Sequence, residues 1–165
     1  MKQLILVRHA QAVWKDSLQT DYERPLQEIG IQDIKKIGQY LKSKKYFPDY
    51  ILTSGAQRTL ETASIILKEL LNTPILINAD RLIYGASINE MINLIKKFKA
   101  QSNTAMIVGH NPTITLLNNK ISNTNIDHMP TSGASIINYN INQWKEINVP
   151  GELIEFIYPK KLNLI

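Results

Sequence analysis

Arginine and histidine side chains follow three short apolar segments of this sequence. Arg8 and His9 directly follow the first segment, Arg58 lies just past the second, and His110 follows the third. Guanidinium groups keep their charge at neutral pH, so two of them together with two imidazoles suit a doubly negative ligand. Phosphate fits best, because planar arginine forks match its oxygens, and sulfate or a carboxylate fits less well. The residue types therefore predict an oxyanion site.

His9 is the candidate nucleophile of this site. A neutral imidazole with an ordinary pKa of about 6.5 is largely deprotonated at pH 7, so it can attack phosphorus without a separate base. The attack would form a phosphohistidine on the protein, which water then hydrolyses, while Arg8, Arg58 and His110 bind the phosphate oxygens. This chemistry needs no metal and no cofactor. Taken singly, each residue also has a structural interpretation, such as a buried histidine or a surface arginine.

Alternating strands and helices must bring these residues together. Apolar runs predict strands, and apolar residues at helical spacing predict helices. Ser87 and Glu90 form a capping-box pattern ahead of one helix, and Pro112 suits the start of another. Residues 118–132 are polar and predict a loop. The predicted elements are strands over 4–7, 50–52, 75–77 and 105–108, helices around 31–41, 60–70, 91–98 and 113–119, and terminal strands over 135–141, 143–148 and 153–158.

This order of elements predicts a three-layer α/β/α sandwich with a mostly parallel central sheet and an antiparallel edge. Ligands of such sheets bind beyond the carboxyl ends of the strands, where the arginines and histidines described above would meet. The chain has 165 residues, of which 44% are hydrophobic, and no linker is evident. We therefore expect a single domain spanning residues 1–165.

Composition excludes several other classes of protein. The chain has no cysteine, which excludes disulfides, thiolate catalysis and cysteine-ligated zinc. No apolar run approaches the roughly 20 residues that span a bilayer, and Arg8 and His9 interrupt the apolar start, so we expect no membrane segment and a cytoplasmic protein. The net charge of +5 comes from lysine clusters without interleaved aromatic residues. These clusters indicate solvated surfaces or attraction of an anionic substrate, and not nucleic-acid binding.

Three segments resemble the signatures of the histidine phosphatase superfamily, which has the phosphoglycerate mutase-like fold. They are Leu6-Val7-Arg8-His9-Ala10, Thr53-Ser54-Gly55-Ala56-Gln57-Arg58-Thr59 and Val108-Gly109-His110-Asn111-Pro112. Further stretches resemble the small SixA-type phosphohistidine phosphatases, namely Asp21 with Arg24-Pro25-Leu26 and Gly30, residues 82–87, and Pro130-Thr131-Ser132-Gly133. The resemblance runs almost end to end. It implies His9 as the nucleophile and Arg8, Arg58 and His110 as phosphate ligands.

The sequence departs from the superfamily pattern in a way that concerns the substrate. Ala10 replaces the usual glycine, which is a mild change. Many members that cleave phosphate esters carry an acidic residue in the region that reads Arg81-Leu82-Ile83-Tyr84-Gly85 here, where no carboxylate is present. General acid catalysis is typically worth about 10²–10⁴-fold, and an ester needs it more than an N-protonated phosphohistidine, which departs as neutral imidazole. Asp80 and Glu90 are the nearest possible substitutes.

Two further positions leave alternatives open. Lys15 lies where mutase relatives have an asparagine near phosphate, so it either adds a substrate-binding charge or faces solvent. The loop predicted over 118–132 either closes over a substrate or stays apart from it. His128, within this loop, is interpreted as a surface histidine. A monomer is the default, because no pattern demands association.

Three functional hypotheses follow. The leading one is a phosphohistidine phosphatase that acts on a phosphorylated protein, such as a histidine phosphotransfer domain. The alternative is a phosphomonoesterase that acts on a small phosphorylated metabolite. A non-catalytic phosphate or phosphoprotein binder is the third, and the presence of His9 argues against it. Mutase activity is disfavoured, because a retained phosphoenzyme must be shielded from water and the chain lacks obvious segments to shield it.

Overall fold

A mixed β-sheet organises the part of the chain that the computed structural model describes, which is residues 1–14, 18–70, 75–148 and 150–163. The strands are β1 (Lys2–Arg8), β2 (Tyr50–Thr53), β3 (Ile77–Ala79), β4 (Thr104–Gly109), β5 (Ala134–Tyr139) and β6 (Glu152–Ile157). The helices are α1 (Glu28–Ser43), α2 (Gln57–Leu70), α3 (Ile88–Lys96), α4 (Thr113–Ser122) and α5 (Pro159–Leu162). Short 3₁₀ helices span Asp21–Glu23, Arg81–Tyr84 and Trp144–Glu146. Within these ranges no helix is both long and apolar enough to cross a membrane.

The strand order is β3-β2-β4-β1-β5-β6. The first four strands run parallel, and β5 and β6 pair antiparallel at one edge. Parallel neighbours need crossover connections, which the helices between the strands provide. The predicted mostly parallel sheet with an antiparallel edge is confirmed.

Helices cover both faces of this sheet. Alternate residues of a strand point to opposite faces, so Leu4 and Leu6 pack in the cluster that includes α3 and α4. Ile5 and Val7 pack in the other cluster, with α1 and α2. Because β1 is buried on both faces, it reads as a continuous apolar run. The predicted three-layer α/β/α sandwich is confirmed.

Strand register places the ends of the central strands at one level. Val7 of β1 lies opposite Val108 of β4, and Thr53 of β2 also lies opposite Val108. The backbone N–H of His9 donates to the carbonyl of Gly109, at 3.1 Å. The residues that follow β1, β2 and β4 therefore meet at the same edge of the sheet, as the sequence predicted.

The predicted strand over 143–148 is wrong. Trp144 lies in a 3₁₀ helix, is fully buried and packs in the α3/α4 core, where its indole N–H donates to the carbonyl of Ser102 at 2.8 Å. The apolar residues of this segment, Trp144 and Ile147, thus enter the core from a short 3₁₀ turn. The antiparallel pair at the sheet edge is β5 with β6.

The predicted loop over 118–132 is wrong in its first five residues, which continue α4 to Ser122. Polar residues there form hydrogen bonds within the segment: the Ser122 hydroxyl donates to the carbonyl of Asn118 at 2.6 Å, and the Asn118 amide donates to Thr124 Oγ1 at 3.3 Å. Asn123 then ends the helix in a left-handed conformation, with φ of 51°. The polar residues 118–122 therefore belong to the last part of α4, and the loop begins only after Ser122.

Gly30 is expected to be essential for the approach of α1 to the segment that follows His9. A Cβ at Gly30 would lie 2.3 Å from the carbonyl oxygen of Gln11 and 2.8 Å from the backbone nitrogen of Gln11. The backbone of α1 or that of the Gln11 segment would then have to move. We expect Gly30→Ala to lower the free energy of unfolding by about 1–3 kcal/mol in urea denaturation. Gly85→Ala is the matched control, because a Cβ there meets no atom within 4 Å. Equal stability of the two variants would contradict this account.

Candidate active site

His9 lies at the carboxyl end of β1 with its ring orientation set by the backbone. Its Nδ1 is 2.8 Å from the carbonyl oxygen of Ala10. A carbonyl only accepts, so Nδ1 carries the hydrogen and the lone pair is on Nε2. Burial, partly opposed by this hydrogen bond and reinforced by Arg58, lowers the pKa of His9 to about 4. The imidazole is therefore neutral at pH 7, with Nε2 available for bonding.

Arg58 lies in the first turn of α2 and is held by a carboxylate that the sequence interpretation did not place in the site. Its guanidinium donates to the Asp21 carboxylate at 3.0 Å and to the Asp21 carbonyl at 2.6 Å. The side chain is only 6% exposed. A carboxylate from a separate segment of the chain thus balances part of the positive charge of the site. Asp21 and Arg58 are 37 residues apart, so no local spacing indicates this pair.

Asp21 is the centre of a small polar network. Its carboxylate accepts from Arg24 at 2.9 Å, from Arg58 and from the hydroxyl of Tyr84. The Tyr84 hydrogen bond and those arginines lower the pKa of Asp21 well below its usual range. The same hydrogen bond raises the pKa of Tyr84. Asp21 is thus ionised at neutral pH and carries no proton to donate to a leaving group.

His110 follows β4 and lies between His9 and Arg58. Its ring centroid is 5.2 Å from that of His9 and 5.3 Å from the ring of Tyr84. One ring nitrogen, Nδ1, is 3.3 Å from Arg58 Nη2, and the other, Nε2, is 2.6 Å from Ser54 Oγ. Burial, followed by the charges of His9 and Arg58, lowers the pKa of His110 to about 3. In the free protein this imidazole is also neutral.

Arg8 is held by the segment that precedes β5. Its Nη1 donates to the carbonyl of Met129 at 3.0 Å and to Nε2 of His128 at 3.0 Å. The backbone N–H of Ser132 also donates to the carbonyl of His9, at 3.3 Å. His128 is exposed, as predicted, yet it contacts a site residue. Nothing in its sequence neighbourhood indicated this contact, which depends on the packing of residues 128–132 against β1.

Two of the remaining candidates cap helices, and the third lies outside the described residues. The Asp80 carboxylate accepts from the backbone N–H of Leu82 at 3.0 Å, as the cap of a 3₁₀ helix. Glu90 forms the predicted capping box with Ser87. Both carboxylates thus cap helices. Lys15 lies outside the described residues.

Positive charge dominates the assembled site. The guanidinium groups of Arg8, Arg24 and Arg58 all act on His9 and disfavour its protonation. The Asp21 carboxylate pairs with two of them, Arg24 and Arg58. The Nε atoms of Arg8 and Arg58 are buried and have no hydrogen-bond partner among the described residues. Among those residues, no group of three or more histidine, aspartate or glutamate side chains is placed to hold a metal ion. The donor set matches a tetrahedral dianion.

Comparison with protein families matches residues 4–81 to the histidine phosphatase superfamily, branch 1. An uncharacterized chloroplastic protein of Arabidopsis thaliana is 29% identical over 153 residues, which are 88% of this chain and 70% of that protein. Phosphoglycerate mutase 1 of Saccharomyces cerevisiae is 38% identical over 71 residues, which are 42% of this chain and only 29% of the yeast enzyme.

Solved structures are similar over almost the whole chain. A protein assigned as the phosphohistidine phosphatase SixA of Agrobacterium tumefaciens matches with a TM-score of 0.82 and 26% identity, covering 96% of this chain and 98% of that one. A protein histidine phosphatase SixA solved with tungstate matches with a TM-score of 0.82 and 17% identity, covering 97% and 99%. The second similarity concerns the fold alone. The first extends to sequence as well as fold.

Proposed function

Because this chain belongs to the histidine phosphatase superfamily, we propose that it is a phosphohistidine phosphatase that acts on phosphorylated proteins through His9. The observation that carries the proposal is the tautomer of His9. The hydrogen bond from Nδ1 to the Ala10 carbonyl leaves the lone pair on Nε2, beside Arg58 and His110. That is the arrangement of a ready nucleophile next to an anion-binding pocket.

In the first step, Nε2 of His9 forms a bond to phosphorus while the bond from phosphorus to the substrate nitrogen breaks. The electron pair of the broken bond stays with the substrate, whose imidazole leaves neutral if its other nitrogen was protonated. The phosphoryl oxygens lie among Arg8, Arg58 and His110, whose hydrogen-bond donors stabilise the charge of the transition state. The site therefore supplies a nucleophile and electrostatic stabilisation.

The second step regenerates the protein. A water molecule attacks the phosphorus of phosphorylated His9, the bond to Nε2 breaks, and the electron pair returns to the imidazole. Phosphate leaves with the oxygen of that water. Because Nδ1 remains hydrogen-bonded to the Ala10 carbonyl, the ring is in the same tautomer for the next cycle. No metal is required in this scheme.

The position of the carboxylates favours a phosphoramidate over an ester. An alkoxide leaving group needs a proton, and the three carboxylates considered for this role have other partners. Asp21 is ionised by its arginine and tyrosine partners, and Asp80 and Glu90 cap helices. A neutral imidazole leaving group needs no such acid. This supports phosphohistidine as the substrate class.

Exposed apolar side chains beside the pocket support a protein substrate. Trp14 is 86% exposed, and the preceding residue, Val13, accepts a hydrogen bond from Arg24 of the Asp21 network. Leu82 is 59% exposed in the 3₁₀ helix that also carries Tyr84. We propose that these two side chains, on segments that also carry residues of the Asp21 network, contact a protein substrate.

We expect phosphate release from a phosphohistidine phosphotransfer domain to exceed release from an alkyl phosphate such as glycerol phosphate by at least about 10²-fold in kcat/KM. The measurement is phosphate release from both substrates with the same preparation, in chelator-treated buffer. A chemically phosphorylated histidine peptide separates recognition of the protein from recognition of the leaving group. Ester turnover equal to that of the phosphoprotein would instead support the metabolite phosphomonoesterase and would mean that an acid reaches the leaving group.

Three other predictions from the sequence remain predictions. They are a single domain over residues 1–165, a monomeric state and a cytoplasmic location. Binding of inorganic phosphate or sulfate in the pocket is proposed on the charges described above. Size-exclusion chromatography with light scattering would determine the oligomeric state.

A further inference from the structure

A buried chain of hydroxyl groups lies behind His110. The hydroxyl of Thr59 donates to the carbonyl of Ala56 at 2.7 Å. Ser54 Oγ is 3.1 Å from Thr59 Oγ1 and 2.6 Å from Nε2 of His110. Ser54 and Thr59 are fully buried. Water therefore has no access to these two hydroxyls, and each hydrogen must go to a partner in the chain.

The direction of each bond follows from the number of hydrogens available. The single hydroxyl hydrogen of Thr59 goes to the Ala56 carbonyl, so the contact between Ser54 and Thr59 needs the Ser54 hydrogen. Ser54 Oγ then accepts from the backbone N–H of Ala56, at 3.2 Å, and from His110. This is the arrangement that gives every contact one hydrogen. It requires the hydrogen of His110 to be on Nε2.

The contact on the other side of the His110 ring indicates the same tautomer. A guanidinium has donors and no acceptor, so Arg58 Nη2 donates to Nδ1 of His110 and that nitrogen presents a lone pair. Both neighbours therefore select the same neutral tautomer, with hydrogen on Nε2. A phosphate oxygen that approached Nδ1 in this state would meet a lone pair and not a donor.

We propose that Ser54 and Thr59 are positioning residues that lock His110 in the Nε2–H tautomer, so that His110 gains a proton at Nδ1 when a phosphate group binds. This inference rests on the proposed phosphate site. The Ser54 contact keeps the first hydrogen on Nε2, so a hydrogen bond from Nδ1 to a phosphate oxygen requires a second one. The proton comes from solvent when the ligand is the dianion, and His110 becomes a cation that faces it.

The surroundings of His110 explain why its imidazole gains a second proton only when the ligand binds. Burial disfavours a cation at this position most, the charges of Arg58 and Arg8 add to this effect, and the carboxylate of Asp21 opposes it only in part. The ring of Tyr84, whose hydroxyl donates to Asp21, packs against the imidazole edge-on. A bound dianion adds two negative charges next to the ring and reverses this balance.

Thr59→Val tests whether the Ser54–Thr59 hydrogen bond fixes the tautomer of His110, because valine keeps the shape of threonine but cannot accept the Ser54 hydrogen. Ser54 is then free to donate to Nε2. Its contact with His110, at 2.6 Å, is shorter than the opposing Arg58 contact at 3.3 Å, so we expect His110 to adopt the Nδ1–H tautomer, which binds phosphate without gaining a proton. Thr59→Ser is the matched control, because it retains the hydroxyl. At pH values where free phosphate is the dianion, and below the pKa of His110 in the complex, we expect the affinity for phosphate to fall about tenfold per pH unit in the wild type and in Thr59→Ser. In Thr59→Val we expect that dependence to be lost.

Nitrogen-15 NMR of the ring nitrogens, with and without inorganic phosphate, reads the protonation of His110 directly. We expect Nε2–H in the free wild type and both nitrogens protonated in the complex. A free wild type with Nδ1–H, or a neutral His110 in the phosphate complex, would overturn the inference even if Thr59→Val fails to fold. If phosphate shifts neither His9 nor His110, the phosphate site itself fails and the proposed function with it. If His9 shifts while His110 stays neutral, only the lock is disproved.

Discussion

Replacing His9 by alanine is expected to lower phosphohistidine hydrolysis by at least about 10⁴-fold, the scale on which loss of a covalent nucleophile acts. The remaining site keeps its arginines, so the loss should appear in kcat far more than in phosphate binding. Single-turnover phosphate release from a phosphorylated phosphotransfer domain measures this effect. The wild type should also form an acid-labile, base-stable phosphoenzyme, which is the stability expected of a phosphorylated imidazole.

Two controls separate the chemistry of His9 from its structural role. The His9→Ala variant should bind inorganic phosphate within about tenfold of the wild type, because Arg8, Arg58 and His110 remain. Its urea denaturation curve should show a folded protein. Hydrolysis that survives in His9→Ala would disprove the nucleophile, and so would a phosphoenzyme that still forms in the variant.

Replacing Arg58 by lysine is expected to lower kcat/KM for the same substrate by about 10²–10³-fold, although the charge is kept. Arg58 reaches three partners at once: the Asp21 carboxylate, the Asp21 carbonyl and Nδ1 of His110. A lysine ammonium is a point charge and cannot reproduce this fork. The side chain is nearly buried, so a misplaced cation there also has little solvent to compensate it.

Arg24→Lys is the matched comparison for Arg58→Lys. Arg24 donates to the same carboxylate at 2.9 Å, but its side chain is 21% exposed and its other described acceptor is the Val13 carbonyl. We expect Arg24→Lys to cost less than about tenfold, as for a partly exposed ion pair. Equal losses in the two variants would mean that the Asp21 network, and not contact with the phosphate, is what both arginines supply.

Much of the fold and the main site residues were predictable because they depend on neighbours in sequence. Buried parallel strands read as apolar runs, which identified β1 and β4. Parallel strands end at the same edge of the sheet because they share a direction, so the sequence predicted that Arg8, His9 and His110 lie beside one another. The register of β1 and β4, with Arg8 opposite Gly109, agrees. The capping box of Ser87 and Glu90 is likewise a local pattern, and the structure confirms it.

Tertiary structure alone decided the features that join distant segments. The pairing of Asp21 with Arg58, the contact of His128 with Arg8 and the placement of Trp144 in the core depend on segments 37, 120 and 42 residues apart. No periodicity encodes such contacts, because they depend on how closely separate elements pack. The protonation of His9 and His110 belongs to the same class. A histidine in the sequence carries no information about which nitrogen holds the hydrogen, and that choice is made by the Ala10 carbonyl, Ser54 and Arg58 that the fold places around the rings.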